Sequence, residues 1–466
     1  MIAPARLARL RPAGQVVLLV LSIAIVLHGV LGPDLAPKNL ATVLTWVHYR
    51  GLLAGLLLAV GNVLCGICPI VLARDMARRV HAPTRTWPAW LRGKWIAALL
   101  TVAVLFAYEL FDLWALPAAT AWLVLGYFGT AIAIDVTFTG GAFCKHVCPV
   151  GQFSFLLSTL SPLEVKAKRL ATCEACATAD CVKGRYTEAT PARLVRRGCE
   201  LGLFLPAKVG NLDCTFCLDC VQACPHDNVT IAGHVPGEEW ADDSRRSSIG
   251  QLSRRPDIAA LATIFTFGAL LNALAMTRPV YAIEQWMARA LHTTHEAPVL
   301  AILFAIVLVA VPVALLGMAG VVTRTLAPSR TLDVWEIAVR YAVVLVPLGA
   351  GVWVAHYAFH FLTAVGTIVP VLQGALVDAT GRALAGEPDW RWLGLRPGAV
   401  APLQVGFVLL GALGSLLLTH AVSQRDHAPH AIRAGVPWML IVVALTLAAL
   451  WILAQPMEMR GTALAG

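Results

Sequence analysis

Long apolar runs recur along this chain, and shorter segments that carry most of the charged residues separate them. Each run is close to the ~20 consecutive apolar residues that an α-helix needs to cross a bilayer. Runs of this kind occupy residues 16–32, 51–73, 95–112, 118–139, 258–277, 298–323, 338–370, 401–423 and 436–455. The pattern predicts a polytopic α-helical membrane protein with about nine spans.

One polar stretch, residues 160–256, is long enough to form a domain of its own. It divides the chain into three predicted domains. Residues 1–159 form an N-terminal membrane domain with about four spans, and residues 257–466 form a C-terminal membrane domain with about five. The predicted fold is therefore a membrane protein with one inserted soluble domain.

The basic residues predict how the spans are oriented. Residues 74–94 contain six of them, whereas the preceding loop contains only Lys38 and Arg50. The six are Arg74, Arg78, Arg79, Arg85, Arg92 and Lys94. Under the positive-inside rule the richer segment is cytoplasmic. The N-terminus and the inserted domain then also face the cytoplasm, and the expected location is a bacterial inner membrane.

The composition agrees with a membrane protein. The chain is 58% hydrophobic and only 14% charged, which is too apolar for an ordinary soluble protein. A net charge of +9 could suit a nucleic-acid partner. The basic residues lie at the ends of apolar runs, however, and do not form one stripe. The expected partner of these surfaces is the lipid bilayer, with no nucleic acid.

The inserted domain contains a distinctive cysteine run, Cys214-Thr-Phe-Cys-Leu-Asp-Cys-Val-Gln-Ala-Cys224-Pro225. This is the C-x2-C-x2-C-x3-C-P spacing with which bacterial ferredoxins hold [4Fe–4S] clusters. Upstream lie Cys173, Cys176 and Cys181, spaced C-x2-C-x4-C, and then Cys199 alone. The run favours iron–sulfur chemistry in a ferredoxin-like domain.

In two-cluster ferredoxins the last cysteine of each run ligates the other cluster. That rule predicts one cluster on Cys173, Cys176, Cys181 and Cys224. It predicts a second cluster on Cys199, Cys214, Cys217 and Cys220. Every cysteine of the domain is then a ligand. The alternative is a pair of four-cysteine zinc sites, which also use C-x2-C spacing but in two separated pairs.

Two further cysteine pairs, each followed by proline, lie at the edges of apolar runs. They are Cys65-Gly-Ile-Cys68-Pro69 and Cys144-Lys-His-Val-Cys148-Pro149. By the predicted topology both lie at the cytoplasmic face. Their four thiolates could hold a further metal or redox centre. The alternative is a structural or assembly role, because a free cysteine packs well as a small apolar residue.

Together these motifs resemble the membrane polyferredoxins of the NosR and NapH type, which include accessory proteins of periplasmic nitrous-oxide and nitrate reductases. The resemblance covers residues 50 to about 235. It implies two [4Fe–4S] clusters on the cytoplasmic side and electron transfer that involves the quinone pool. The implied recipient is a periplasmic reductase or a metal centre under activation. The Cys65–Cys68 spacing is one residue shorter than the family's C-x3-C-P, and there is no room for the flavin domain of the NosR type.

The histidines suggest a second candidate site. His356 and His360 are four residues apart, so they share one face of the seventh predicted span. His28, His48, His292 and His295 are predicted on the same, outer side of the membrane. Such a group could serve a haem, a copper ion or a quinol. The alternative is that these imidazoles only hydrogen-bond to carbonyl groups or water.

Acidic residues in or beside the third and fourth spans are a further signal, because intramembrane acids are costly and often functional. Glu109 and Asp112 are expected near the outer surface, where the alternative to a functional role is that they lie on an exposed face. Asp135 lies close to the second Cys-Pro motif, and we expect it to pair with Lys145 or to order that motif.

The sequence favours membrane-bound electron transfer through two [4Fe–4S] clusters. The clusters would link the cytoplasmic side or the quinone pool to a membrane or periplasmic oxidoreductase. The chain would then be an electron-transfer subunit of an oxidoreductase complex, and it could act like a quinol dehydrogenase. Its partners would be oxidoreductase or electron-carrier subunits. The alternative is a maturation protein that handles or reduces a metal such as copper for another enzyme. A third reading is a structural membrane anchor with vestigial clusters.

Overall fold

The computed structural model describes residues 4–190, 193–328, 332–391 and 394–457. The chain divides into two compact units, each assembled from discontinuous segments. The first comprises Met1–Ala24, Gly55–Ala97 and Val124–Arg255, and all twelve cysteines belong to it. We call it the cysteine unit. The second, the helical unit, comprises Ile25–Ala54, Ala98–Leu123 and Pro256–Gly466. The three consecutive domains read from the sequence stay a prediction.

Within the described residues, seven helical stretches are long and apolar enough to cross a membrane. They are Pro4–Leu31, Leu40–Val60, Pro117–Thr137, Pro256–Leu274, Glu296–Leu326, Val334–Thr363 and Pro397–Leu453. The last contains two helices, Pro397–His427 and Ala431–Leu453, joined by the 3-10 turn Ala428–His430. Two shorter apolar helices are Trp95–Leu110 and Val365–Thr380. The predicted α-helical membrane protein is confirmed, whereas the count of nine spans stays a prediction.

The second predicted span, residues 51–73, is wrong in its placement. The apolar helix there runs over Leu40–Val60 and ends at Gly61, whose φ of +81° favours glycine. The short helix Val63–Gly66 and the helix Pro69–Val80 follow. The seventh predicted span, residues 338–370, also breaks, because the helix that begins at Val346 ends at Thr363. In both places apolar residues continue past a helix end, so hydropathy alone cannot locate that end.

The cysteine unit carries all the strands that the described residues form. Leu163–Ala167 pairs antiparallel with Val229–Gly233, with Leu163 opposite Gly233. Arg185–Tyr186 pairs antiparallel with Leu194–Arg196. Helices and 3-10 turns complete the unit after Val80: Ala89–Leu91, Phe143–Val147, Pro149–Ser158, Leu170–Glu174, Asp180–Lys183, Leu205–Ala207, Asp219–Ala223, Glu238–Ala241 and Leu252–Arg254. A small core joins these elements through Val165, Leu205, Phe216, Val221 and Val229, and it includes Ala8 of the first helix.

The helical unit packs around the helix Val346–Thr363, which is buried over most of its length. This helix packs against Pro256–Leu274 and Pro397–His427. Its Gly351 comes so close to Pro397–His427 that an added Cβ would lie 2.5 Å from the Phe407 carbonyl oxygen. Small residues allow such close helix packing in membranes. Further elements are Ala36–Lys38, Arg278–Ala290, Glu296–Ala305, Ile306–Ala310, Val311–Leu326, Val334–Ala342, Val343–Leu345, Val365–Thr367 and Ile368–Thr380.

Candidate functional site

The first predicted cysteine group lines one cavity. All four members, Cys173, Cys176, Cys181 and Cys224, face it. Burial raises the pKa of the Cys181 thiol, and the charges of Cys173, Cys224 and Cys176 raise it further. These four cysteines come from both runs, as the ligand-sharing rule predicted. The structure therefore brings the first predicted ligand set together.

Two of these thiols accept hydrogen bonds from the same residue, Asn228. The Asn228 side-chain amide donates to Cys173 Sγ at 3.2 Å, and the Asn228 backbone N–H donates to Cys224 Sγ at 3.3 Å. Asn228 is itself held by the Arg169 carbonyl oxygen, 2.7 Å from Nδ2. Hydrogen bonds to sulfur tune iron–sulfur sites. Sequence reasoning missed Asn228, and its position four residues after Cys224 was the only signal.

Cys176 differs from the other members of the first group. The backbone N–H of Ala179 and the Thr178 hydroxyl lower the pKa of its thiol to about 7. Ala179 has a φ of +52°, which is unusual for a residue with a side chain. This backbone conformation begins the short helix Asp180–Lys183, which carries Cys181.

The second predicted group, Cys199, Cys214, Cys217 and Cys220, also lies together. Burial raises the pKa of the Cys220 thiol well above its ordinary value, and the charges of Cys217, Cys214 and Cys199 add to this effect. Burial also raises the pKa of Cys199 to about 11. A buried thiolate is costly unless a positive charge stabilises it. A metal centre would supply that charge.

Charged pairs hold the loop of the second group in place. Arg11 Nη1 lies 2.6 Å from Asp219 Oδ1. Lys94 Nζ lies 2.6 Å from Asp213 Oδ1, and both side chains are less than 5% exposed. The Glu239 carboxylate accepts hydrogen bonds from the backbone N–H groups of Asn211 and Leu212, the latter at 3.0 Å. The loop is thus fixed on both sides of Cys214.

The two cysteine runs form a short structural repeat. Cys181 lies in Asp180-Cys181-Val182, and Cys220 lies in Asp219-Cys220-Val221. Each is the second residue of a short helix that follows a left-handed residue, Ala179 in one case and Leu218 in the other. The two helices pack against each other. In addition, the Cys199 N–H donates to the Cys181 carbonyl oxygen at 2.8 Å, so the two groups are direct neighbours.

The remaining four cysteines, Cys65, Cys68, Cys144 and Cys148, form a third group. Burial raises the pKa of Cys65, and the charges of Cys68 and Cys148 raise it further. For Cys144 the causes are burial and then Cys148, and Cys68 contributes as well. The structure therefore brings the two Cys-Pro motifs together, although they are separated by about 80 residues of sequence.

Asp135 orders the second Cys-Pro motif, but not through Lys145. Its Oδ1 accepts the Phe143 N–H at 3.0 Å, at the start of the segment that carries Cys144. Its Oδ2 accepts from Arg74 Nη1 at 3.1 Å. Lys145 instead donates to the Leu201 carbonyl oxygen at 2.8 Å. The expected Asp135–Lys145 pair is therefore wrong, and Arg74 takes that place because the helix Pro69–Val80 brings it there.

The histidine pair lies in the helical unit. The rings of His356 and His360 are 4.8 Å apart between centroids. His356 is 1% exposed, and within the described residues neither of its ring nitrogens has a hydrogen-bond partner. His360 Nε2 also has none there. Buried imidazole nitrogens without partners are rare in native structures and indicate a missing ligand or water.

An arginine and aromatic rings lie next to this pair. The Arg50 guanidinium carbon is 4.4, 4.3 and 5.3 Å from the ring centroids of Trp46, Tyr108 and Tyr357. The Tyr357 ring is in turn 5.9 Å from that of His356. Arg50 follows directly on the π-helical segment Val43–Tyr49. Such π-helical turns are frequent at functional sites.

The other histidines of the predicted outer group do not join the pair. His28 Nδ1 accepts the Leu40 N–H, so its proton is on Nε2, which lies 3.1 Å from Asp378 Oδ2. His48 bonds through its two ring nitrogens to the carbonyl oxygens of Val43 and Val365. His292 and His295 are exposed. For His28 and His48 the structure favours the hydrogen-bonding alternative.

Of the two acids predicted near the outer surface, Glu109 is buried. Its Oε1 lies 3.4 Å from the Asn272 side-chain amide, in the helical unit. Asp112 has a φ of +43°, in the turn that follows the helix Trp95–Leu110. An exposed face therefore does not explain Glu109.

Across the part of the chain that the structure describes, no three His, Cys, Asp or Glu side chains converge tightly enough to hold a single metal ion. The metal role predicted for His356 and His360 stays a prediction. Comparison of the chain with family models, curated proteins and solved structures gives no match. The resemblance to the polyferredoxins therefore still depends on the motifs themselves.

Proposed function

We propose that this protein transfers electrons at the membrane through two [4Fe–4S] clusters, each held by one of the first two cysteine groups. The observation that supports this most directly is the cavity lined by Cys173, Cys176, Cys181 and Cys224. Cys224 is distant in sequence from the other three members, and two of the four accept N–H bonds to sulfur. A bound cubane cluster supplies one-electron redox chemistry.

The residues fit a cluster better than a zinc ion. Zinc draws four ligands around one atom, at about 2.3 Å for each Zn–S bond. A cubane cluster binds each cysteine through a different iron, so its four sulfurs lie farther apart. The run from Cys214 to Pro225 has the cluster spacing C-x2-C-x2-C-x3-C-P, whereas zinc sites use two separated C-x2-C pairs. The zinc alternative is therefore less well supported than the cluster.

The protein's own residues position and tune these thiols. Asn228 orients Cys173 and Cys224, whereas Arg11 and Lys94 hold the loop of the second group through Asp219 and Asp213. The backbone hydrogen bond from the Cys199 N–H to the Cys181 carbonyl oxygen makes the two groups neighbours, which supports electron transfer between them. We place the cluster domain on the cytoplasmic face of a bacterial inner membrane, on the distribution of basic residues.

The histidine pair supports a link to the quinone pool. Within the described residues both ring nitrogens of the buried His356 and Nε2 of the half-buried His360 have no hydrogen-bond partner, so they can bind the polar groups of a quinone ring, and one imidazole can accept a proton as a quinol is oxidised. The Arg50 cation, near the same aromatic rings, disfavours a metal ion there and favours a carbonyl oxygen. Each quinol would lose two electrons and two protons.

Iron and acid-labile sulfide per chain, measured on anaerobically purified protein with EPR spectra before and after reduction, test the cluster proposal. At least about eight of each, with two cubane signals, is the expected result. Zinc without sulfide would overturn it. For the quinone link, His356→Ala should reduce reduction of the clusters by a soluble quinol analogue at least several-fold. Their reduction by dithionite should be unchanged, which serves as the control.

A further inference from the structure

We propose that the third cysteine group, Cys65, Cys68, Cys144 and Cys148, binds a third iron–sulfur cluster. The site itself is inferred from the geometry of the two Cys-Pro motifs. Its role as an additional electron carrier rests on the proposed function.

The two motifs are structurally equivalent despite their different spacing. Cys65 lies in the short α-helix Val63–Gly66, three residues before Cys68. Cys144 lies in the π-helical segment Phe143–Val147, four residues before Cys148. The Cys148 N–H donates to the Phe143 carbonyl oxygen, five residues back. A π-helical turn contains one residue more than an α-helical turn, so it absorbs the extra residue. The difference in spacing is therefore no reason to assign different roles to the two cysteine pairs.

The second cysteine of each pair lies at the same place in its element. Cys68 is the N-cap of Pro69–Val80, and Cys148 is the N-cap of Pro149–Ser158. Proline is the first residue of both helices, where its missing N–H costs nothing. Burial raises the pKa of Cys68 and of Cys148, and the backbone N–H groups at each helix start partly offset that cost for a thiolate. Two such helix starts, facing one group of thiols, are suited to an anionic cluster.

Hydrogen-bond donors already surround Cys148 Sγ. The Gly151 N–H donates to it at 3.0 Å, and the Tyr127 hydroxyl lies 3.0 Å away. A Cβ at residue 151 would lie 3.1 Å from this sulfur, which is tighter than ordinary contact. The first cysteine group has the same kind of bonds, through Asn228. The Gly151 N–H donates to this sulfur, and the Tyr127 hydroxyl can donate as well when Cys148 is a thiolate, as in a metal-bound cysteine.

The donor set selects the type of metal centre. All four ligands are free thiols, and none forms a disulfide. Soft thiolate sets select zinc, Cu(I) or iron–sulfur clusters. Among these, an iron–sulfur cluster is the centre that matches those proposed for the first two groups, the second of which adjoins this site.

The third group lies against the loop of the second. The Asn62 side-chain amide donates to the Cys214 carbonyl oxygen at 3.1 Å. A Cβ at Gly66, between Cys65 and Cys68, would lie 2.8 Å from the Phe216 carbonyl oxygen. The Phe216 ring in turn packs on Gly61. The three groups thus form a series in which each neighbouring pair is in backbone contact.

Metal analysis of a double variant, Cys65→Ser with Cys144→Ser, tests this site. It removes one thiol from each motif and keeps both helix N-caps. The unaltered protein should contain at least two iron atoms more than the eight of two cubane clusters. The double variant should lose that excess and keep both cubane EPR signals. Tyr127→Phe, which removes a hydroxyl but no thiol, should keep all the iron and shift the midpoint potential of one centre only.

The outcomes separate this proposal from the proposed function. About eight iron atoms in both proteins would overturn the third centre and leave the two clusters intact. A zinc or copper ion that disappears in the double variant, with the iron unchanged, would also overturn it. A chain without iron would overturn the proposed function itself. If the double variant fails to fold, unchanged midpoint potentials in Tyr127→Phe decide against the site.

Discussion

The first and second cysteine groups have a similar local backbone but are held in different ways. At the first, a neutral amide, Asn228, donates to sulfur, and hydrogen bonds keep the pKa of Cys176 near 7. At the second, a buried pair, Lys94 with Asp213, and a half-buried pair, Arg11 with Asp219, hold the loop, and burial raises the pKa of Cys220. The two copies of the structural repeat thus have different electrostatic environments.

This difference has a functional consequence. Reduction potentials of iron–sulfur centres depend on net charge, hydrogen bonds to sulfur and exposure. The loops of the two groups differ in their charged pairs and in the hydrogen bonds to sulfur, so two clusters there would have different potentials.

The largest effect is expected from removing a matched thiol from each group. Cys181→Ser and Cys220→Ser change equivalent helix positions. Each should lose about four iron atoms per chain and one of the two cubane EPR signals. Cys220→Ser should also lower the Tm more, because Phe216, Leu218 and Val221 of its loop are core residues. Full iron content in either variant would contradict the ligand sets.

Breaking a buried ion pair of the second group should have the next largest effect. Lys94→Met leaves Asp213 buried without its cation, which should cost about 3–5 kcal/mol of unfolding free energy. Thermal unfolding in detergent measures this. The control is Lys168→Met, whose partner Asp227 is 83% exposed, so little change in Tm is expected. Equal effects of the two variants would show that the buried pair does not stabilise the loop.

Asn228→Ala should act on the first group alone. It removes the hydrogen bond to Cys173 Sγ, and so the midpoint potential of that centre should become more negative while the other stays unchanged. Redox titration followed by EPR measures both. Asn211→Ala is the control, because this buried amide donates to the carbonyl oxygens of Ser158 and Leu163 and to no sulfur. A shift of the first centre in Asn211→Ala would point to a general loss of structure.

The smallest effect concerns pH. Burial raises the pKa of Glu239 from 4.5 to about 7, against the opposing charge of Arg246. A carboxyl group that binds its proton more tightly when folded contributes stability at low pH, and this is lost as pH rises through about 7. The contribution of Glu239 to the Tm should therefore fall between about pH 4.5 and about pH 7. In Glu239→Gln the fall should be smaller, and an unchanged pH profile would refute the assignment.

Part of this organisation could be predicted from the sequence. Apolar runs indicate the membrane helices, because the bilayer fixes their length. Spacing alone grouped Cys173, Cys176 and Cys181 with the distant Cys224, and these four line one cavity. The reason is local. Cysteines separated by two residues lie on one loop, and the structural repeat places Cys224, the last cysteine of the second run, beside the first run.

Other features depend on contacts between segments that are distant in sequence, and no sequence pattern indicates such contacts. Arg74 rather than Lys145 meets Asp135 because of how one helix packs. Residues 61–73 read as membrane because cysteine, glycine and isoleucine are all apolar, yet the helix ends at Gly61. The unpartnered nitrogens of His356 could be recognised only once its neighbours were known.

The contacts of Arg11, Asn62 and Lys94 with the loop that carries Cys214 also bear on the order of synthesis. All three precede the cysteine-rich stretch, so the ribosome makes them first. Part of the support for the second group is therefore synthesised before its thiols. Glu239, which holds the backbone of Asn211 and Leu212, is synthesised after them. The second group is thus clamped between segments made before and after it, whereas the bonds from Asn228 to the first group can form only after both cysteine runs exist.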